Sequence, residues 1–150
     1  ELQKQVCTIY PFVLEARMHD MQEVAELPEF LQERIYYHIK LRLLATVPLF
    51  QRAGPQCAAN LACRMNRTLS PPSHCLMQEG EAGDCMYFLV RGMVEVLAKD
   101  PLGNDQLHCT LQDGAWFGEI ALVRNVPRTA TVRTLTVCEL FRLEAACFGE

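Results

Sequence analysis

The sequence predicts an α+β fold: an antiparallel, jelly-roll-like β-roll that carries one short helix and follows an α-helical linker. Three observations point to it. An apolar residue recurs at every fourth position before residue 47, the texture changes after Pro71-Pro72 to short β-favouring runs, and one longer segment, 117–128, interrupts those runs.

Residues 1–26 are mixed in polarity, and Pro11 divides them into two short helical pieces. In 27–47, Leu27, Leu31, Ile35, Ile39 and Leu43 fall on one slowly rotating helical face, and Pro28 suits the first turn. Pro48 ends this helix, because proline has no amide hydrogen and restricts the residue before it. Residues 1–47 therefore form a helical linker and 48–150 the roll domain. A further helix runs from Pro55 to about Asn66, with Ala58, Leu61, Ala62 and Met65 on one face. Strands are expected over 74–78, 86–90, 93–98, 107–111, 129–135 and 137–143, divided by Gly80, Gly83-Asp84, Arg91-Gly92, 101–105 and Asp113-Gly114. Spacing this regular makes a small antiparallel barrel or roll. Segment 117–128 is too long for a hairpin turn and has a helical pattern of its own, and such an insertion between strands is where function is expected.

Composition narrows the function classes. A chain of 150 residues, half of them apolar and 21% charged, is of the globular kind with one core. Its apolar runs stop well short of the ~20 residues of a membrane-spanning helix, and the opening ELQKQ lacks a basic-then-apolar signal pattern. The fragment itself thus reads as neither secreted nor membrane-spanning. A net charge of −4 argues against non-specific nucleic-acid binding, so an anionic ligand must be held by a local device. The eight cysteines read as reduced, mostly buried thiols; no pair has C-x-x-C spacing, the four histidines stand apart, and no metal or cofactor is assigned.

The interrupting segment carries the chemistry. Gly118 permits a backbone conformation closed to other residues, and Glu119, Ile120, Ala121 and Leu122 make one helical turn whose free amides attract an anion. Arg128, nine residues after Glu119, offers a guanidinium fork that suits a phosphate, and Thr129 adds a hydroxyl. A phosphate repels Glu119, so the carboxylate must face a neutral donor on the same ligand, such as a sugar hydroxyl. The expected ligand is nucleotide-like with one compact phosphate. No residue is placed as a nucleophile beside a base, Ser73-His74 lacking an ordered acid, so no catalysis is expected.

FGEIAL at 117–122 followed by PRTATVR at 127–133 resembles the phosphate-binding cassette of cyclic-nucleotide-binding domains, and EGEAGDCMYFLVRGMVEVL at 79–97 resembles their β-roll core. The resemblance implies cAMP or cGMP as ligand, with Glu119 on the ribose 2′-hydroxyl and Arg128 on the cyclic phosphate. It also implies that the amides of 118–122 assist and that Thr129 contacts phosphate or purine. ELPEFLQERIYYHIKLRLLATVPLF at 26–50 is similar to the linker between pore and binding domain in cyclic-nucleotide-gated and hyperpolarisation-activated channels. That likeness implies a ligand-sensing module on the cytoplasmic side of a membrane, joined to a transmembrane part of the same parent chain in a homo- or hetero-tetramer. Kinase regulatory subunits carry a like cassette, and a ligand-silent assembly module is a third reading.

The sequence departs from the channel pattern in three places. Pro127 stands where many channels have a second arginine, the hairpin 98–108 is long, and the chain ends at Glu150, before the helix that closes over the purine in that family. Against the ligand reading stands a bare surface ion pair between Glu119 and Arg128. Trp116 is read as a core or rim residue rather than a base-stacking platform, Arg133 as a solvated strand residue, and Tyr36, Tyr37 and His38 as a helix face packed on a neighbour.

Overall fold

Helix α1, Glu29–Ala45, forms over the fourfold repeat, and the computed structural model describes residues 26–124 and 126–148. The helical pieces expected within 1–25 lie outside the described residues. Pro28 stands one position ahead of the first turn, as N-cap, and its carbonyl accepts the amides of Leu31 and Gln32. Of the predicted face only Ile39 and Leu43, toward its C-terminal end, are buried, with Leu44 beside them, while Leu27 is exposed. Pro48 does end α1, and it also opens a short helix α2, Pro48–Gln51, where its fixed φ suits the first turn. Helix α3, Gly54–Arg64, stops earlier than expected because the chain turns extended at Met65.

Among the described residues eight strands follow: β1 Asn66–Ser70, β2 Cys75–Met77, β3 Cys85–Arg91, β4 Val94–Lys99, β5 Asp105–Leu111, β6 Trp116–Phe117, β7 Thr131–Thr134 and β8 Cys138–Glu144. Helix α4, Ile120–Val123, lies between β6 and β7, and a 3-10 turn, Ala145–Phe148, follows β8. Two four-stranded antiparallel sheets, ordered β1-β8-β3-β6 and β2-β7-β4-β5, make the roll. The β region therefore begins at Asn66, ahead of Pro71-Pro72. Strand β1 escapes sequence reading because NRTLS has no apolar alternation; it is an edge strand defined by its pairing with β8, from Asn66↔Arg142 to Ser70↔Cys138. The two-residue β6 is likewise defined only by pairing, through Tyr87↔Phe117 and Phe88↔Trp116.

The first sheet divides the core in two. Met86, Phe88 and Val90 of β3 join Phe141, Leu143, Trp116 and the helices on its outer side. Tyr87 and Leu89 face inward with Val94, Leu111, Val132 and Leu140. Burial on both faces explains why β3 reads as an unbroken apolar run rather than an alternation. The long β4–β5 hairpin is a surface turn, in which the Asp100 carboxylate accepts the amides of Leu102 and Asn104 at 2.9 Å each. Of the six described cysteine side chains only Cys85 and Cys138 are buried; Cys63 and Cys75 are exposed, which corrects the expectation of a mostly buried set. The reason is their place, on the outer face of α3 and on the edge strand β2.

Gly92 links β3 to β4 with φ +118°, and a side chain there meets the Cys138 thiol and the Val137 carbonyl at 2.7 Å. Gly92→Ala is expected to lower stability by about 2–4 kcal/mol, the sum of left-handed strain and overpacking. Urea denaturation reads this directly; a midpoint equal to that of the parent chain removes the steric argument.

Candidate functional site

The turn from β6 into α4 sets the site. Gly118 has φ +86°, a conformation L-residues rarely adopt, and a Cβ there lies 2.9 Å from Arg128 Nη1 and 3.1 Å from the Cys85 carbonyl oxygen. Glycine is required twice over, for the turn and for the approach of the arginine. Glu119 is then the N-cap residue of α4, so the helical turn starts one residue later than the sequence suggests. Ala121 and Leu122 lie within α4.

Arg128 enters the site from the stretch before β7. Its backbone is fixed from both sides by the β2–β3 loop, the amide of Gly80 donating to its carbonyl at 2.9 Å and its own amide to Glu81 at 2.7 Å. The guanidinium is buried, 7% exposed, and donates from Nη2 to the Cys85 carbonyl at 2.6 Å and from Nη1 to the Gly118 carbonyl at 3.2 Å. The Cys85 thiol lies 3.6 Å from Nη2. A guanidinium has five N–H donors, so these contacts leave others for an anion. Hydrogen bonds to neutral carbonyls orient the cation without cancelling its charge.

Gly118, Glu119, Ile120, Arg128 and Thr129 line one open cavity. Five of the seven residues expected at the site therefore share a wall. The opposite wall is apolar: Met77, Val96 and Val132 are neighbours on β2, β4 and β7, through Met77↔Val132 and Val96↔Val132. None was singled out as a site residue, although the strands that carry them were legible. The Cys85 carbonyl was also missed, and no residue preference signals it, because a backbone acceptor is the same in every residue.

Burial pushes the Glu119 carboxyl above its ordinary range, against the opposing effect of a backbone hydrogen bond and of the Arg128 charge. The Tyr87 hydroxyl is pushed up to about 12, mainly by burial and then by the neighbouring Cys85. Tyr87 stacks on Phe117 at 5.3 Å between ring centroids and so supports the residue that leads into Gly118. Trp116, one position earlier, faces the other way into the helix-side core, as expected of a core residue. Arg133 is part-exposed and lies 3.7 Å from Glu95 across the β4–β7 ladder, outside the cavity. Tyr36 packs edge-on against Phe141 at 6.1 Å, also as expected.

A buried, neutral-anchored guanidinium, a raised carboxyl and an apolar wall around one cavity suit a small anion with an apolar body and hydroxyl groups. Comparison with known proteins agrees with that chemistry. Human potassium/sodium hyperpolarization-activated cyclic nucleotide-gated channel 4 is 32% identical over 151 residues, covering all of this chain and 12% of the channel. The mouse channel 2 is also 32% identical, the chain spanning 17% of it. Among solved structures, the regulatory domain of Toxoplasma gondii PKA with cAMP superposes with a TM-score of 0.70 at 28% identity, over 75% of this chain and 42% of that one. A cyclic nucleotide-binding-like protein from Brucella abortus gives 0.66 at 27% identity, over 73% and 93%. With residues 69–150 matching the family's own description, the chain belongs to the cyclic nucleotide-binding domain family.

Proposed function

We propose that this chain is the cAMP- or cGMP-sensing module of a cation channel or related membrane transporter, and that ligand binding in the roll is coupled to gating through the N-terminal helices. The observation that carries the ligand is the buried Arg128 guanidinium, oriented by two carbonyls on the wall of a cavity that Glu119 also lines. The channel context draws on a similarity that spans the whole chain, helical linker included. Among the described residues no helix is long and apolar enough to cross a membrane; the proposed reading puts the transmembrane part in another segment of the parent.

In this reading Arg128 takes the cyclic phosphate in a charge-assisted contact, helped by the amides of 118–122. Glu119 accepts the ribose 2′-hydroxyl, Thr129 contacts phosphate or purine, and the purine lies against Met77, Val96 and Val132. Nothing here is catalytic; the domain binds and releases its ligand unchanged. Gating follows only from a difference in affinity between the resting and activated arrangements, since a ligand that binds both equally shifts neither. Pro127 favours a second reading, a kinase regulatory domain, because kinase-type cassettes often carry proline there. A parent sequence with membrane spans ahead of this segment selects the first reading, and a pseudosubstrate or kinase domain the second.

Titration calorimetry with cAMP and cGMP tests the ligand. Arg128→Ala is expected to weaken binding by about 2 kcal/mol or more. No heat and no thermal shift with either nucleotide on the parent chain overturns the reading.

The raised carboxyl of Glu119 gives a pH dependence with a definite sign. The ribose hydroxyl donates to the ionised form, so protonation competes with ligand, and affinity falls on acidification from above the ordinary carboxylate range. Glu119→Gln is expected to cost less affinity than Arg128→Ala at neutral pH and to flatten this profile. A profile that persists in Glu119→Gln assigns the proton to another group.

In the ligand-free chain the linkage runs the other way. Because the folded state raises this pKa, it disfavours the charged form, a penalty present at pH values above the folded pKa and relieved as pH falls through it. Glu119→Gln is therefore expected to raise the melting temperature at neutral pH, with the gain shrinking on acidification. A lowered melting temperature at neutral pH contradicts the burial argument.

A further inference from the structure

Helix α1 is fastened to the rest of the protein in two ways. Ile39, Leu43 and Leu44 in its C-terminal half share an apolar cluster with Leu61 and Ala62 of α3. Its middle meets the outer face of the first sheet through two adjoining rings with a cation at either end. The Arg67 guanidinium lies 5.2 Å from the centre of the Tyr36 ring, Tyr36 stands edge-on to Phe141, and the Lys40 ammonium lies 5.2 Å over the Phe141 ring. Lys40 also donates to the Met65 carbonyl at 3.0 Å.

The line ends on a buried carboxylate. Arg67 Nε donates to Glu139 Oε1 at 2.6 Å, and the other carboxylate oxygen lies 4.0 Å from Arg91 Nη2. The Glu139 side chain is 3% exposed, whereas those of Arg67 and Arg91 are 42% and 40% exposed. Apolar surfaces tolerate small sliding movements, but a charge-assisted hydrogen bond of this length holds one position. Stability alone does not call for it, since apolar residues of similar volume often serve as well as a buried ion pair; what such a pair adds is selection of one arrangement. Glu139 is also well placed along the sheet. Strands β3 and β8 pair Arg91 with Glu139 at one end and Cys85, whose carbonyl holds Arg128, with Glu144 at the other.

We propose that Glu139, acting through Arg67 and Tyr36 and backed by Arg91, is a latch that fixes α1 in one position on the sheet, and that breaking it frees α1 while the ligand cavity stays formed. Use of the latch in transmitting a signal rests on the sensing reading; its existence does not.

The test compares the parent chain with Glu139→Gln, Arg67→Met and Arg67→Lys, the last of which keeps a cation between Glu139 and Tyr36. Amide hydrogen exchange along 31–45 is read without ligand, and cAMP affinity is read in parallel by calorimetry. In Glu139→Gln and Arg67→Met α1 is expected to exchange about tenfold or more faster, with cAMP affinity changed by less than about threefold, and most of the protection is expected to return in Arg67→Lys. Unchanged α1 exchange in Glu139→Gln and Arg67→Met overturns the latch. Acceleration spread evenly over β3 and β8 overturns it too, because Glu139 then supports the sheet rather than the helix. Should those two variants fail to fold, Tyr36→Leu decides, because it cuts the link to α1 and leaves the Arg67–Glu139 pair in place: faster α1 exchange supports the latch and unchanged exchange overturns it. An α1 effect in a parent chain that takes up neither cAMP nor cGMP keeps the latch and removes the sensing reading.

Discussion

The geometry of the site depends on satisfying one buried guanidinium. A cation removed from water must find acceptors, and Arg128 finds them in the carbonyls of Cys85 on β3 and Gly118 after β6. With its own amide and carbonyl tied to Glu81 and Gly80, this residue cross-links the β2–β3 loop, the start of β3 and the turn into α4. Gly118 follows as a consequence, since any Cβ crowds the guanidinium. So does the position of Glu119, which the same turn delivers to the cavity wall. The apolar strands complete a cavity in which the Arg128 guanidinium is already oriented, so a ligand has little reorganisation to drive.

The first sheet is a shared wall, and that arrangement gives adjacent residues opposite tasks. Trp116 fills the helix-side core while Phe117 lines the cavity, and in β3 Phe88 points to the helices while Tyr87 supports Phe117. A displacement of β3 or β6 at the cavity is therefore felt on the face where the helices rest. On that face the packing is apolar toward the C-terminal end of α1 and polar at its middle, so the two attachments respond differently to a small shift.

How much of this could be read beforehand varies with the kind of signal. Helix α1, strands β2, β3, β4, β5, β7 and β8 and the cassette are written in side-chain chemistry: an apolar period, turn glycines and prolines, and an arginine and a glutamate flanking a short helical pattern. Strand β1 is not, because Asn66–Ser70 owes its conformation to β8 rather than to its own composition. The two residues of β6 are too few to show a period. Gly118, Glu119, Ile120, Arg128 and Thr129 were legible because they contribute distinctive groups, whereas the Cys85 carbonyl, which fixes the arginine, is contributed by backbone. The tertiary fold also decides exposure, which is why Cys63 and Cys75 face outward although cysteine as a type favours the interior.

Two groups in the cavity wall work against the stability of the fold. Burial disfavours the ionised Glu119 carboxyl, and the guanidinium of Arg128 is held by neutral oxygens. Both are arrangements that the folding equilibrium resists, and the ligand of the proposed reading offsets them. In the proposed reading, a ligand at a hundredfold excess over its dissociation constant stabilises the folded state by about 2.7 kcal/mol through mass action alone. That increment is similar in size to the effect of many single substitutions. In that reading, replacing either group with an apolar residue removes a ligand contact and moves the chain from a sensor toward a scaffold.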